Sequence, residues 1–75
     1  MLNYIRKKLI EYVDIKEDEI TGETRFVADL NLNSYDFINI IGKVEEDMGV
    51  EIPDIDVRDI QTVGEMAEYL KKKIQ

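Results

Sequence analysis

The sequence predicts an all-α fold: a small bundle of three main helices plus one short helix, with a long loop between the first and second helices. Three observations predict it. Apolar residues recur at helical spacing in three separate stretches. Helix start and stop residues stand at the edges of those stretches. Nothing in the chain alternates apolar and polar residues as a half-buried strand would. Seventy-five residues support a single core, so the chain is read as one domain over 1–75.

The first helix is expected over roughly residues 2 to 14, where Leu2, Ile5, Leu9 and Val13 form a stripe flanked by Ile10 and Tyr12. From Asp14 to Asn33 no periodicity holds, and Thr21-Gly22 marks a turn. A connection this long needs side chains to pin it, and Ile20, Phe26, Val27, Leu30 and Leu32 are the candidates. The second helix should begin at Asn33 or Ser34, both suited to an N-cap. On a helical wheel Phe37, Ile40, Ile41, Val44 and Met48 fall within about 100°, with Ile38 at the margin. Opposite them run Tyr35, Asn39, Gly42 and Glu46, flanked by Asp36, Lys43 and Asp47. Gly49 is placed to end the helix, and Pro53 blocks its continuation. Ile55, Val57 and Ile60 then suggest a short turn of helix lying on the core. Thr62 and Glu65 have the spacing of a capping box. The last helix follows, with Val63, Met66, Ala67, Leu70 and Ile74 as its buried stripe and Lys71, Lys72 and Lys73 favouring its C-terminal end.

Composition excludes whole classes of chemistry. The chain has no Cys, hence no disulfide and no thiolate site, and no His, the commonest general base and metal ligand. Ser-His and Cys-His catalysis are excluded, and no enzyme constellation is visible. A formal charge of −7 disfavours nucleic acid and anionic membranes and favours a partner with a basic surface. No membrane span and no secretory signal are expected; the reading is a monomer in the cytoplasm.

Between Glu45 and Asp59 stand Glu45, Glu46, Asp47, Glu51, Asp54, Asp56 and Asp59 against the lone Arg58. This run reads partly as a solvated face and partly as a means of steering basic partners. Its carboxylates are expected to repel one another. EF-hand spacing is absent, so no metal site is expected.

Ser34 is the only serine, set where a loop meets a helix. An incoming phosphate is favoured there by free N–H groups and the helix dipole, although a plain N-cap is the commoner use of such a serine. Its surroundings separate the two. The stretch Ala28-Asp29-Leu30-Asn31-Leu32-Asn33-Ser34-Tyr35-Asp36-Phe37 resembles the modification site of acyl carrier proteins. Val44-Glu45-Glu46-Asp47-Met48-Gly49-Val50-Glu51-Ile52-Pro53-Asp54 resembles the acidic helix end and Glu-Ile-Pro-Asp turn of the same family. Thr62-Val63 and Met66-Ala67-Glu68-Tyr69-Leu70 resemble its final helix, so the similarity runs over essentially the whole chain.

The resemblance implies a carrier, not an enzyme. Ser34 would receive 4′-phosphopantetheine from coenzyme A through a phosphopantetheinyl transferase, and the arm's thiol would hold the cargo as a thioester. That fits a chain with neither catalytic groups nor a thiol of its own. Partner enzymes with basic docking surfaces would load and unload it, meeting Tyr35, Asp36, Asn39, Gly42, Glu46 and Asp47. Phe37, Ile38, Ile41 and Ile60 are candidate walls of an acyl cavity. Several positions depart from the family pattern: Asn33 for Asp, Tyr35 for Leu, Asn39 for an acidic residue, and the added positive charge of Lys43. The cargo could be a fatty-acid or polyketide type of acyl group. Alternatives are an aminoacyl or peptidyl carrier served by an adenylating enzyme, or an unmodified interaction module in which Ser34 is only an N-cap.

Overall fold

The computed structural model describes residues 1–74 and contains four α-helices: α1 (Leu2–Leu9), α2 (Ser34–Met48), α3 (Asp54–Val57) and α4 (Val63–Lys73). A single 3-10 turn, Glu17–Glu19, interrupts the long first loop. Among the described residues there is no strand, only an isolated antiparallel bridge between Arg25 and Thr62. None of these helices is long and apolar enough to cross a membrane.

α1 is shorter than its apolar stripe. Glu11 and Tyr12 donate to carbonyls three residues back, Lys8 and Leu9, so the chain tightens beyond Leu9. The sequence Tyr12-Val13-Asp14-Ile15 is poor in helix formers, which removes the incentive to continue. Ile5 and Leu9 are buried, α1 lies against α4, and Tyr12 and Val13 still pack on the core from the turn.

The long loop is held from both sides. Ile20, Phe26, Leu30 and Leu32 plug into the core, whereas Val27 is 71% exposed and does no pinning. Its backbone is zipped to the start of α4: Val63 N–H donates to the Thr24 carbonyl (2.9 Å), Gly64 N–H to Gly22 (2.8 Å), and Phe26 N–H to Gln61 (3.0 Å). Arg6 adds a bond from Nε to the Ile20 carbonyl at 2.6 Å. The approach of Gly22 to Gly64 is so close that a β-carbon on Gly64 would stand 2.7 Å from the Gly22 oxygen. Just ahead of α2 the chain reverses through Asn31, whose φ of 55° lies in the left-handed region that Asn tolerates better than most residues. Leu32 N–H then returns to the Phe26 carbonyl at 3.1 Å, which fixes the residues leading into Ser34.

α2 buries Ile40, Ile41 and Val44 and ends on Gly49 at φ 64°. α4 carries a complete capping box: Thr62 Oγ1 accepts from Glu65 N–H, and Glu65 Oε1 accepts from Thr62 N–H. Val63, Met66, Ala67 and Leu70 are buried, but Ile74 lies beyond the last helical residue and is 49% exposed. α3 is a single turn in which Val57 packs on the core while Ile55, 68% exposed, does not.

The acidic run is better partnered than its sequence suggests. Glu45 Oε2 accepts the Ile52 N–H at 2.8 Å, closing the corner between α2 and α3. Asp56 accepts from the Tyr69 hydroxyl at 2.6 Å; burial first, and then this bond, push the Tyr69 pKa up to about 12. Asp47 Oδ2 receives both Lys8 Nζ and the Tyr4 hydroxyl at 2.7 Å, tying α2 to α1. The mutual repulsion expected of the run is thus relieved at three of its positions.

Candidate functional site

The site is assembled at the start of α2. Asn33, not Ser34, is the N-cap: its Oδ1 accepts the Asp36 N–H at 2.7 Å. Ser34 therefore occupies the first helical position with its side chain exposed. Its hydroxyl bonds to nothing among the described residues, and capping does not explain it. The N–H groups of Ser34 and Tyr35 also lack backbone or side-chain acceptors there, as expected for the opening positions of a helix. A phosphate esterified to Ser34 would meet these two donors and the positive end of the 15-residue α2 dipole. The chemistry of the donor set fits a phosphodiester on this oxygen.

Beside Ser34 opens a cleft of about 500 Å³. Phe26, Val27, Ala28, Leu32, Phe37, Val57 and Ile60 supply its apolar surface, and Arg25, Asn33, Arg58 and Gln61 its polar groups besides Ser34. The Phe26 and Phe37 rings pack with centroids 5.2 Å apart, a tilted aromatic pair that ties the loop to α2. Phe37 and Ile60 thus line the cleft. Ile41 does not; it is 8% exposed within the core. Ile38 is a correction as well, since at 66% exposure it faces away from the interior. Four residues past Ser34 it comes round to the same side of the helix, which puts it on Ser34's face instead of Phe37's. The cleft residues contributed by the loop, Phe26, Val27, Ala28 and Leu32, and by α3, Val57, were missed as lining. Loop residues have no periodicity to reveal which way they point.

The expected docking residues separate into distinct groups. Tyr35, 75% exposed, is freely displayed, as are Gly42 and Glu46. Asp36 and Asn39 are partly buried at the sides of the helix. Asp47 is committed internally, its carboxyl held below the usual range by its bonds from Lys8 and Tyr4. Lys43 reaches Glu11 at 3.7 Å and Tyr12's ring, so its charge also leans towards α1. The exposed face around Ser34 is accordingly Tyr35, Ile38, Gly42 and Glu46, more apolar and less charged than the sequence alone implies.

The chain is similar to known proteins over nearly its whole length. The sequence pattern of the family described as "Phosphopantetheine attachment site" matches residues 3–70. An acyl carrier protein of Lactobacillus johnsonii is 39% identical over 71 residues, covering 95% of this chain and 89% of the relative. One from Clostridium perfringens is 36% identical over 70 residues, with 93% and 92% covered. Among solved structures, a putative acyl carrier protein from Anaplasma phagocytophilum superposes with a TM-score of 0.85 at 26% identity, covering 99% of this chain and 88% of the other. The Enterococcus faecalis acyl carrier protein gives 0.83 at 29% identity, with 96% and 91% covered.

Proposed function

Because the chain belongs to the acyl carrier protein family, we propose that Ser34 is the residue on which it bears 4′-phosphopantetheine and through which it presents acyl groups to partner enzymes. The protein is a carrier and not an enzyme. The arm supplies the thiol that a chain without cysteine lacks. The observation that carries the assignment to Ser34 is its exposed hydroxyl at the first position of α2, with the cap supplied by Asn33. This counts against an unmodified module whose serine merely caps a helix.

The chain's own residues position the attachment. Asn31 turns the backbone, the return bond from Leu32 to Phe26 fixes the approach, and Asn33 starts the helix one residue before the hydroxyl. A phosphopantetheinyl transferase and acyl-handling enzymes are the partners implied by the family. Tyr35, Ile38, Gly42 and Glu46 form the face they would meet, with Tyr35 as the aromatic anchor and Glu46 the charge that guides encounter. The relatives' naming favours acyl cargo over an aminoacyl or peptidyl one. The carrier is read as a monomer, since a second copy on this face would cover Ser34.

Incubating the protein with coenzyme A, magnesium and a broad-specificity transferase tests the reading. Intact mass should show one added phosphopantetheine on the wild type and none on Ser34→Ala. A wild type left unmodified while a control carrier is modified would return the protein to the interaction-module reading.

A further inference from the structure

We propose that the cleft beside Ser34 receives the free end of the carried acyl group and favours an end that bears a carboxylate, which Arg58 holds. The inference rests on the carrier reading and names the class of cargo for it.

The argument starts from charge. Although the chain has 17 acidic residues and a net charge of −7, no carboxylate lines this cleft, whereas two guanidinium groups do. Arg25 is already engaged: its guanidinium and its own backbone N–H both reach Asp29, at 3.2 Å and 2.8 Å. Arg58 is not. Among the described residues no carboxylate lies within ion-pair distance of it, and its side chain makes no hydrogen bond. Of the acids nearest in sequence, Asp59 and Asp54 make no ion pair with it, and Asp56 accepts from the Tyr69 hydroxyl instead. The cleft therefore offers apolar walls from Phe26, Phe37, Val57 and Ile60 and one guanidinium with its donors uncommitted.

A wholly apolar cargo would gain from the walls but would leave the donors of the exposed Arg58 to water, gaining nothing from them. A chain ending in a carboxylate satisfies both, because the methylenes cover the walls and the carboxylate accepts the fork of N–H donors. The net charge of −7 opposes an anionic end in general, and Arg58 is the uncommitted cation among the groups that line this cleft. The arm's own phosphodiester is served separately, by the free N–H groups at the start of α2.

The test uses ¹⁵N-labelled protein to which the transferase has attached arms from glutaryl- or pentanoyl-coenzyme A, cargoes of equal chain length ending in a carboxylate or a methyl group. Intact mass verifies loading first. The glutaryl form should shift the Arg58 Nε–Hε resonance and the Phe26 and Ile60 amides beyond their positions in the pentanoyl and unloaded forms. High salt should shrink that difference. Arg58→Gln should abolish the cargo dependence at Phe26 and Ile60, and Arg58→Lys should restore part of it; Arg58 is exposed, so both variants should fold. Equal shifts for the two cargoes, a full Arg58 shift in the unloaded form, or an unchanged response in Arg58→Gln would each overturn the proposal while leaving the carrier reading intact. Failure of the wild type to take up any arm would instead overturn both.

Discussion

Replacing Gly64 by alanine probes the contact that holds the long loop, and with it one wall of the cleft, against α4. The new β-carbon would stand 2.7 Å from the Gly22 carbonyl oxygen and 3.2 Å from its Cα, and both atoms are backbone, which cannot swing aside. The strands of chain must part by several tenths of an ångström, straining the 2.8 Å bond from Gly64 N–H to that same oxygen. Overpacking of this kind costs about 1–3 kcal/mol, and the better helix propensity of alanine returns at most about 1 kcal/mol. A net loss of about 1–2 kcal/mol is expected, a large share of a total near 5 kcal/mol for a domain this small. At about 4–8 °C per kcal/mol, the melting temperature should fall by roughly 5–15 °C. Gly42→Ala supplies the control. It sits inside α2 with nothing within 4 Å of its β-carbon, so the same substitution should stabilise by about 1 kcal/mol. Urea and thermal unfolding followed by circular dichroism measure both. If Gly64→Ala proved as stable as Gly42→Ala, the close loop–helix approach could not be what anchors the loop.

Stability should form a plateau in pH. Asp47, Asp29 and Glu65 have depressed pKa values, through bonds from Lys8 and Tyr4, from Arg25, and from the Gln61 and Thr62 backbone respectively; their contribution is complete above ~5 and lost as pH falls through the folded values. Tyr4, Tyr69 and Lys8 are raised, the tyrosines by burial and then their Asp partners, Lys8 by its bond to Asp47, so their contribution is present below ~10 and lost above it. Asp47→Asn should flatten the acid limb of urea unfolding measured across pH, and an unchanged limb would mean that the Lys8–Tyr4–Asp47 cluster contributes nothing. At Asn31, φ 55° predicts that Gly is tolerated and that Val costs about 1–2 kcal/mol and slows arm attachment; equal transferase kcat/KM for the two would refute the positioning role. Glu46→Lys should slow association with a partner enzyme and flatten its salt dependence, while Tyr35→Ala should mainly speed dissociation; stopped-flow binding separates the two, and unchanged rates in both would move the docking face elsewhere.

Most of the framework was legible because it is written in periodicity and caps. The apolar stripes of α2 and α4, the Thr62–Glu65 box and the Gly49 stop each depend on residues three or four apart, which sequence displays directly. The misreadings lie where geometry depends on distant residues. Val27 and Ile74 are apolar yet exposed, because a loop and a helix end have no stripe to obey. Asn33 and Ser34 are equivalent as caps on paper, and only the bond to Asp36 N–H decides between them. Asp47 looks like a docking charge until α1 brings Lys8 and Tyr4 to it from across the fold. Ser34 was singled out as a candidate through its surroundings. The cleft was legible only at Phe37 and Ile60, since its walls come from the loop, α2, α3 and the segment before α4 at once.

The central claim is that acyl groups ride on an arm at Ser34, and the most direct measurement is fragmentation mass spectrometry of the protein after transfer of an acyl-phosphopantetheine arm from acyl-coenzyme A. The account predicts a single modified peptide containing Ser34, with an acyl group that neutral hydroxylamine removes while the arm stays in place. An arm mapped to Thr21, Thr24 or Thr62, or an acyl group resistant to hydroxylamine, would contradict it.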